Sequence, residues 1–350
     1  MSALGKVAAV KLSLPEWLVA TFLRLCLKPV LGPPFPIAFQ RFWMEFCALL
    51  NPPPLGNTVR RVTLGGVPDV LVTPAGVEPD GEVSGPPPGS TKGPTGPRPV
   101  VLYLHGGAFI TGSYRSHAGL VGYLARGLRA PVHAIEYRLG PEHTWPAGHD
   151  DALAAYRALL ARVPAHRLVV AGDSAGGVMV ADLLLALRDS GEPQPAAAVM
   201  LSPAVGLDAE RRPGAGERDT VVRRGWIAQV TAAMQRPTDD PHEVLLGRDL
   251  TGLAPIHLQY STEELFADEC AEFAAQLRAA AQSVGSPDRN EVRVFAGPFH
   301  VLAVLPGVLK RSRAALAEVV QFAAGRVHAA TAAADAAQES AQAGGTAQAG

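Results

Sequence analysis

From Pro99 onward the chain alternates short apolar runs with segments of helical periodicity, and that alternation leaves few folds open. The runs VVLYLH (100–105), PVHAIEY (131–137), LVVAGD (168–173), AAVMLS (197–202), IHLQYS (256–261) and EVRVFA (291–296) have the length and side chains of strands. Helical spacing over 116–128, 147–162, 175–188, 267–282 and 309–327 separates most of them. Strands that alternate with helices predict an α/β fold, a mostly parallel sheet covered by helices on both faces.

Ahead of this core, residues 14–31 and 36–50 carry apolar residues at helical spacing, with Pro15, Pro33 and the run Pro52, Pro53, Pro54 as punctuation. Two N-terminal helices are expected there. Their Trp17, Phe22, Phe42, Trp43 and Phe46 are read as core packing, the alternative being a lipid- or substrate-facing surface that roofs a pocket. Two β-like runs, 58–64 and 67–73, flank Gly65-Gly66 and read as a hairpin. Residues 74–99 are so rich in Pro, Gly and Ser that a mobile surface loop is expected. A charge-rich insertion over 208–252 is expected to complete, with the N-terminal pair (1–56), a small cap on a catalytic domain of residues 57–328. The final stretch, 329–350, is low in large apolar groups and is expected to be disordered.

Charge and cysteine usage exclude several functions. Lys plus Arg number 31 against 32 Asp plus Glu, so no long-range field draws in nucleic acid or an anionic membrane. Cys26, Cys47 and Cys270 are odd in number and far apart, against both a disulfide framework and a CxxC metal site. The apolar stretch 17–27, WLVATFLRLCL, is too short to span a bilayer and carries Arg24 in its middle. No secretory cleavage pattern follows it, so the expectation is a cytoplasmic protein without an integral span.

The chemistry is concentrated at VVAGDSAGG, where Gly172-Asp173-Ser174-Ala175-Gly176 satisfies GxSxG between a predicted strand and a predicted helix. A nucleophile elbow puts its serine on a strained strand-to-helix turn, and the flanking Gly172 and Gly176 leave room for neighbouring backbone. Upstream, His105-Gly106-Gly107-Ala108 follows the first core strand and has the HGGG form of an oxyanion hole. Amides in the set Gly106, Gly107, Ala108 and Ala175 are the candidate donors, principally those of Gly107, Ala108 and Ala175; His105 and Asp173 read as support.

A serine hydroxyl needs a base and the base an orienting acid, both delivered at the carboxyl ends of later strands. His300 in FAGPFHV follows the last predicted strand, whereas the other nine histidines fall elsewhere and read as surface, core or motif residues. STEELFADE offers Glu263, Glu264, Asp268 and Glu269 as acids. Glu264 is preferred because it lies just past the strand end; Asp268 and Glu269 suit the first turn of a helix.

Together HGGAF, GDSAGG, EYRLGPEHTWPAGHDDALAAY (136–156), LSPAVGLD (201–208), the EELFADE segment and GPFHV resemble the hormone-sensitive-lipase family of α/β-hydrolases, bacterial lipolytic family IV, related to arylacetamide deacetylase. The resemblance covers most of residues 57–327. It implies an α/β-hydrolase fold with an eight-stranded sheet, an N-terminal helical cap supplemented after the sixth strand, and hydrolysis of short- to medium-chain acyl esters without cofactor or metal. Departures from the family pattern are Ala108 for the third glycine, Gly140 for an alanine, Leu302 for an aromatic residue, and Glu264 where Asp is commoner. The same triad would also serve an amidase, formamidase or acyltransferase, and the fold can carry a noncatalytic receptor. Retention of both Ser174 and His300 speaks against the receptor. Monomer and homodimer are both compatible with the sequence.

Overall fold

A computed structural model describes residues 12–79, 98–206, 218–235 and 245–347. Residues 80–97 of the expected loop, and 208–217 and 236–244 of the insertion, lie outside them. The chain opens with α1 (Leu14–Phe22), which runs on into a π-helical turn at Leu23–Leu27, and then α2 (Ile37–Ala48). Ser13 and Glu16 close a reciprocal capping box at the start of α1, and Pro15 sits in the first turn, where its missing N–H costs nothing.

The hairpin β1 (Asn57–Leu64) and β2 (Val67–Pro74) turns through Gly65 and Gly66, both at positive φ as a tight two-residue hairpin requires. There follow β3 (Val100–Leu104), α3 (Tyr114–Leu128), β4 (Val132–Ile135), α4 (Ala147–Leu160), β5 (Leu168–Asp173), α5 (Ala175–Asp189) and β6 (Ala197–Leu201). After the insertion come β7 (Ile256–Ser261), α7 (Ala267–Ser283), β8 (Glu291–Phe295) and α8 (Lys310–Ala347). One eight-stranded sheet has the order β1-β2-β4-β3-β5-β6-β7-β8, antiparallel at the hairpin end and parallel from β4 through β8. Helix α3 packs beside α8 and α4 beside α5, while β3, β5 and β6 are buried throughout. The sheet centre is therefore rigid, and it is β5 that carries the predicted elbow.

Two expectations differ from the structure, and the insertion adds a helix that no expectation named. Within the insertion, α6 (Arg224–Met234) forms and buries Trp226, Ile227, Val230 and Met234. The chain after residue 328 is helical, since α8 runs to Ala347. Alanine has the highest helix propensity of any residue, so this stretch lacks side chains to bury but not the tendency to coil. Finally, Trp17, Phe42 and Phe46 are not core residues: each is more than half exposed. Phe22 lines a pocket and Trp43 is half-buried, with its indole N–H donating to the Cys26 carbonyl at 2.7 Å.

Candidate active site

Ser174 stands alone between the end of β5 and the start of α5, at φ 51° and ψ −116°, a conformation that non-glycine residues seldom adopt. Its amide donates to the Leu201 carbonyl of β6 at 2.8 Å, which fixes the turn from one side. On the other side α5 presses against β3. A Cβ on Gly176 would drive into the Leu104 carbonyl, and one on Gly172 into the carbonyl of Gly176. The glycines of the motif are thus demanded by close backbone approach.

The Ser174 hydroxyl donates to His300 Nε2 at 2.9 Å, and His300 Nδ1–H donates to Glu264 Oε2 at 3.2 Å. A carboxylate can only accept, which assigns the tautomer. The loops carrying acid and base are joined to each other. Ser261 Oγ donates to the Phe299 carbonyl at 2.7 Å and the Glu263 amide to the Gly297 carbonyl at 3.0 Å, while the Val301 amide donates to Ser202 Oγ at 3.0 Å and ties the histidine loop to the end of β6. Of the four candidate acids only Glu264 reaches the imidazole. Glu263 turns to Arg218 at 3.3 Å, and Asp268 and Glu269 occupy the first turn of α7.

The oxyanion candidates lie on a turn whose Gly107, Ala108 and Phe109 have φ of 119°, 55° and 61°. A side chain on Gly107 would collide with the Thr111 carbonyl. The amide of Gly106, included in the donor set by sequence, is already spent: it donates to Asp173 Oδ1 at 2.9 Å. Those of Gly107, Ala108 and Ala175 make no hydrogen bond to another described residue. His105 is buried, stacks on Tyr137 at 4.3 Å and has its own carbonyl held by the Tyr137 hydroxyl at 2.6 Å. Burial drives its pKa down to about 4, so it stays neutral and structural.

Asp173 is the hub beneath this turn. Besides the Gly106 amide it accepts the Tyr103 hydroxyl at 2.5 Å and His117 Nε2–H at 3.2 Å. Burial would raise its pKa, but the His117 charge and these hydrogen bonds outweigh it and hold the carboxyl below its usual range. Tyr103 and His117 are therefore neighbours of the candidate site that the sequence reading missed, and they lie 70 and 56 residues away from Asp173 along the chain.

A family model described as the α/β hydrolase fold matches residues 101–303, more than half of the chain. The chain belongs to that family. An acetyl-hydrolase of Streptomyces hygroscopicus is 38% identical over 227 residues, which cover 62% of this chain and 72% of that protein. The esterase LipU of Mycobacterium tuberculosis is 32% identical over 238 residues, 65% of this chain and 78% of its own. Among solved structures, an esterase of the bacterial hormone-sensitive lipase family superposes with a TM-score of 0.75 at 28% identity, covering 91% of this chain and 100% of that one. EstE5, soaked by ethyl alcohol, superposes with a TM-score of 0.77 at 26% identity over the same shares. This α/β-hydrolase is accordingly an enzyme of the esterase class, as its motifs imply.

Electrostatics in the hydrolase favour charge on the imidazole. Burial alone would lower the His300 pKa, but the hydrogen bond and charge of Glu264, with Asp219 and Asp173 beyond, raise it above the ordinary value. Burial pushes the Glu264 carboxyl up, and His300 pulls it partly back. Asp219 is fully buried and ties the second part of the insertion to the acid loop. Its Oδ1 accepts the Val221 and Val222 amides at 2.7 Å each, and its Oδ2 the Leu265 amide at 2.8 Å.

Ser174 and His300 open into a cavity of about 320 Å³. Phe22, Met44 and Cys47 from the N-terminal helices, Val221 and Trp226 from the insertion, and Val304 after the base form its walls. Apart from Ser174 and His300 the lining is apolar, with Asn51, Ser116, His117 and Asp173 as polar exceptions. Among the described residues no helix is long and apolar enough to cross a membrane.

Proposed function

We propose that the protein hydrolyses short- to medium-chain acyl esters through a Ser174-His300-Glu264 triad and an acyl-enzyme. The observation that carries this reading is the hydrogen-bonded line from Ser174 to Glu264 at the foot of an apolar cavity. His300 Nε2 takes the hydroxyl proton as Ser174 Oγ attacks the ester carbonyl carbon. The oxyanion that forms is held by the amides of Gly107, Ala108 and Ala175, three fixed dipoles that need no reorganisation. Collapse breaks the C–O bond, and the alcohol leaves with the proton from His300. Water then gives a proton to the same nitrogen as it attacks the acyl-enzyme, and that proton returns to Ser174 as the acid departs. Glu264 holds the imidazole and stabilises its charge throughout.

The names of the relatives, an acetyl-hydrolase and esterases, favour small acyl groups. So does a cavity near the lower end of the roughly 300–1,000 Å³ span of ligand pockets. The N-terminal helices and residues 218–235 would act together as the cap that measures the acyl chain.

Hydrolysis of p-nitrophenyl esters from acetate to palmitate tests the reading. Turnover is expected to peak at short to medium chains and to fall roughly 10⁶-fold in Ser174→Ala and roughly 10⁴-fold in Glu264→Ala. Asp268→Ala should change it by no more than about threefold. Undiminished turnover in Ser174→Ala, or none at any chain length in folded wild type, would overturn the proposal; a loss in Asp268→Ala equal to that in Glu264→Ala would overturn the choice of acid.

A further inference from the structure

The N-terminal helix pair has its polarity inverted. On α1, Leu14, Trp17 and Leu18 project outward at spacings of three and four, and on α2 and its C-cap, Phe39, Phe42, Phe46 and Leu49 form a second outward stripe. Trp17 is 54% exposed, Phe42 60% and Phe46 52%. The rings of Phe39, Phe42 and Phe46 contact one another in succession along α2 at about 6 Å. Single exposed apolar residues are ordinary on soluble proteins, but two continuous rows are not.

The charges of the pair do the opposite and hold to the protein body. Between residues 14 and 48 the charged residues are Glu16, Arg24, Lys28, Arg41 and Glu45. Glu16 binds Ser13 and Arg311; Arg24 and Lys28 donate to the carbonyls of Arg218 and Asp219, each at 2.6 Å. Arg41 pairs with Glu142 at 2.7 Å, and Glu45 accepts the Ser113 hydroxyl at 2.7 Å. All five are therefore engaged elsewhere, which leaves the outward rows neutral.

These rows are continuous with the cavity mouth, because Leu18, Leu50 and Val308 both line the cavity and stand exposed at its rim. We propose that the outward face of α1 and α2 docks on the surface of a neutral or zwitterionic lipid phase and draws acyl esters from it into the Ser174 cavity. The face matches such a surface in polarity and in lack of charge, and Trp17 in its α1 row suits the zone between headgroups and acyl chains. A second copy of the chain seated on the same rows would cover the mouth, whereas a lipid phase leaves it open and fills it with substrate. Delivery of substrate rests on the esterase reading; the docking itself does not.

Flotation of the full-length protein with phosphatidylcholine vesicles separates the two. Wild type is expected to float, and Trp17→Glu/Phe42→Glu/Phe46→Glu to partition roughly 100-fold more weakly while p-nitrophenyl acetate turnover stays within about twofold. Emulsified tributyrin should then be hydrolysed more slowly by the variant alone. Should the triple variant fail to fold, Leu14→Glu and Leu49→Glu, at highly exposed positions of the two rows, are each expected to weaken flotation. Wild type that stays unbound, binds only when phosphatidylglycerol is added, or sediments as a dimer that the variant dissociates would overturn the proposal. Loss of p-nitrophenyl acetate turnover in wild type that still floats would instead overturn the esterase reading.

Discussion

His300 is buried between two opposed influences, and the balance sets a pH dependence. Desolvation disfavours the imidazolium, but Glu264, Asp219 and Asp173 place negative charge around it and leave its pKa raised. A base must be neutral to accept the serine proton, so kcat/KM should fall as pH drops through this raised value, with its acid limb above the ordinary imidazole pKa of about 6.5. Glu264→Gln removes the largest favourable partner, and a pH-rate profile of that variant should show the limb moved to lower pH and a maximum roughly 10³- to 10⁴-fold lower. An unmoved limb would contradict the assignment of Glu264. Ser174 and His300 were legible in the sequence because an elbow and a last-strand loop are positions in a pattern. Ser202, which holds the amide after His300, and Asp219, which holds the amide after Glu264, were not. Each acts through a hydrogen bond to distant backbone, and such a partner leaves no spacing to read.

Among elements, the turn from His105 to Phe109 shows how support is built. Three successive positive φ values aim its amides, and Asp173 secures the turn through Gly106 while Tyr103 and His117 secure Asp173. Removing His117 should loosen the donors and take away one polar point of the cavity lining while leaving its apolar walls in place. His117→Ala is expected to lower kcat by about 10- to 100-fold with little change in KM, which steady-state kinetics on a short ester would reveal. A loss confined to KM would assign His117 to substrate binding instead. The strands β3 to β7 were readable because burial on both faces imposes unbroken apolar runs. The helix α6 was hidden in a charge-rich insertion, and the N-terminal pair misled because apolar periodicity reports a face without telling which way it points.

At the scale of the whole molecule, stability is concentrated in the sheet and the helices against it. Among the described residues Val327 is the last buried side chain of α8, and residues 336–341 are exposed. Ending the chain after Asp335 should therefore shift Tm by no more than about 2 °C while reducing the circular dichroism signal of helix. A larger drop would mean that the distal helix packs on something. The fold class followed from strand and helix alternation alone, whereas the end of α8 depended on a propensity that composition masked.

The proposed nucleophile draws its shape from three strands at once. Ser174 follows directly on β5, its amide is held by β6, and the glycines beside it are moulded against β3. A small slip of any one strand past its neighbours would relax the φ of 51° before it separated the sheet. The reactivity of one hydroxyl is thus a local gauge of register across the middle of the molecule, and a chain with nearly all its secondary structure intact can already have gone silent.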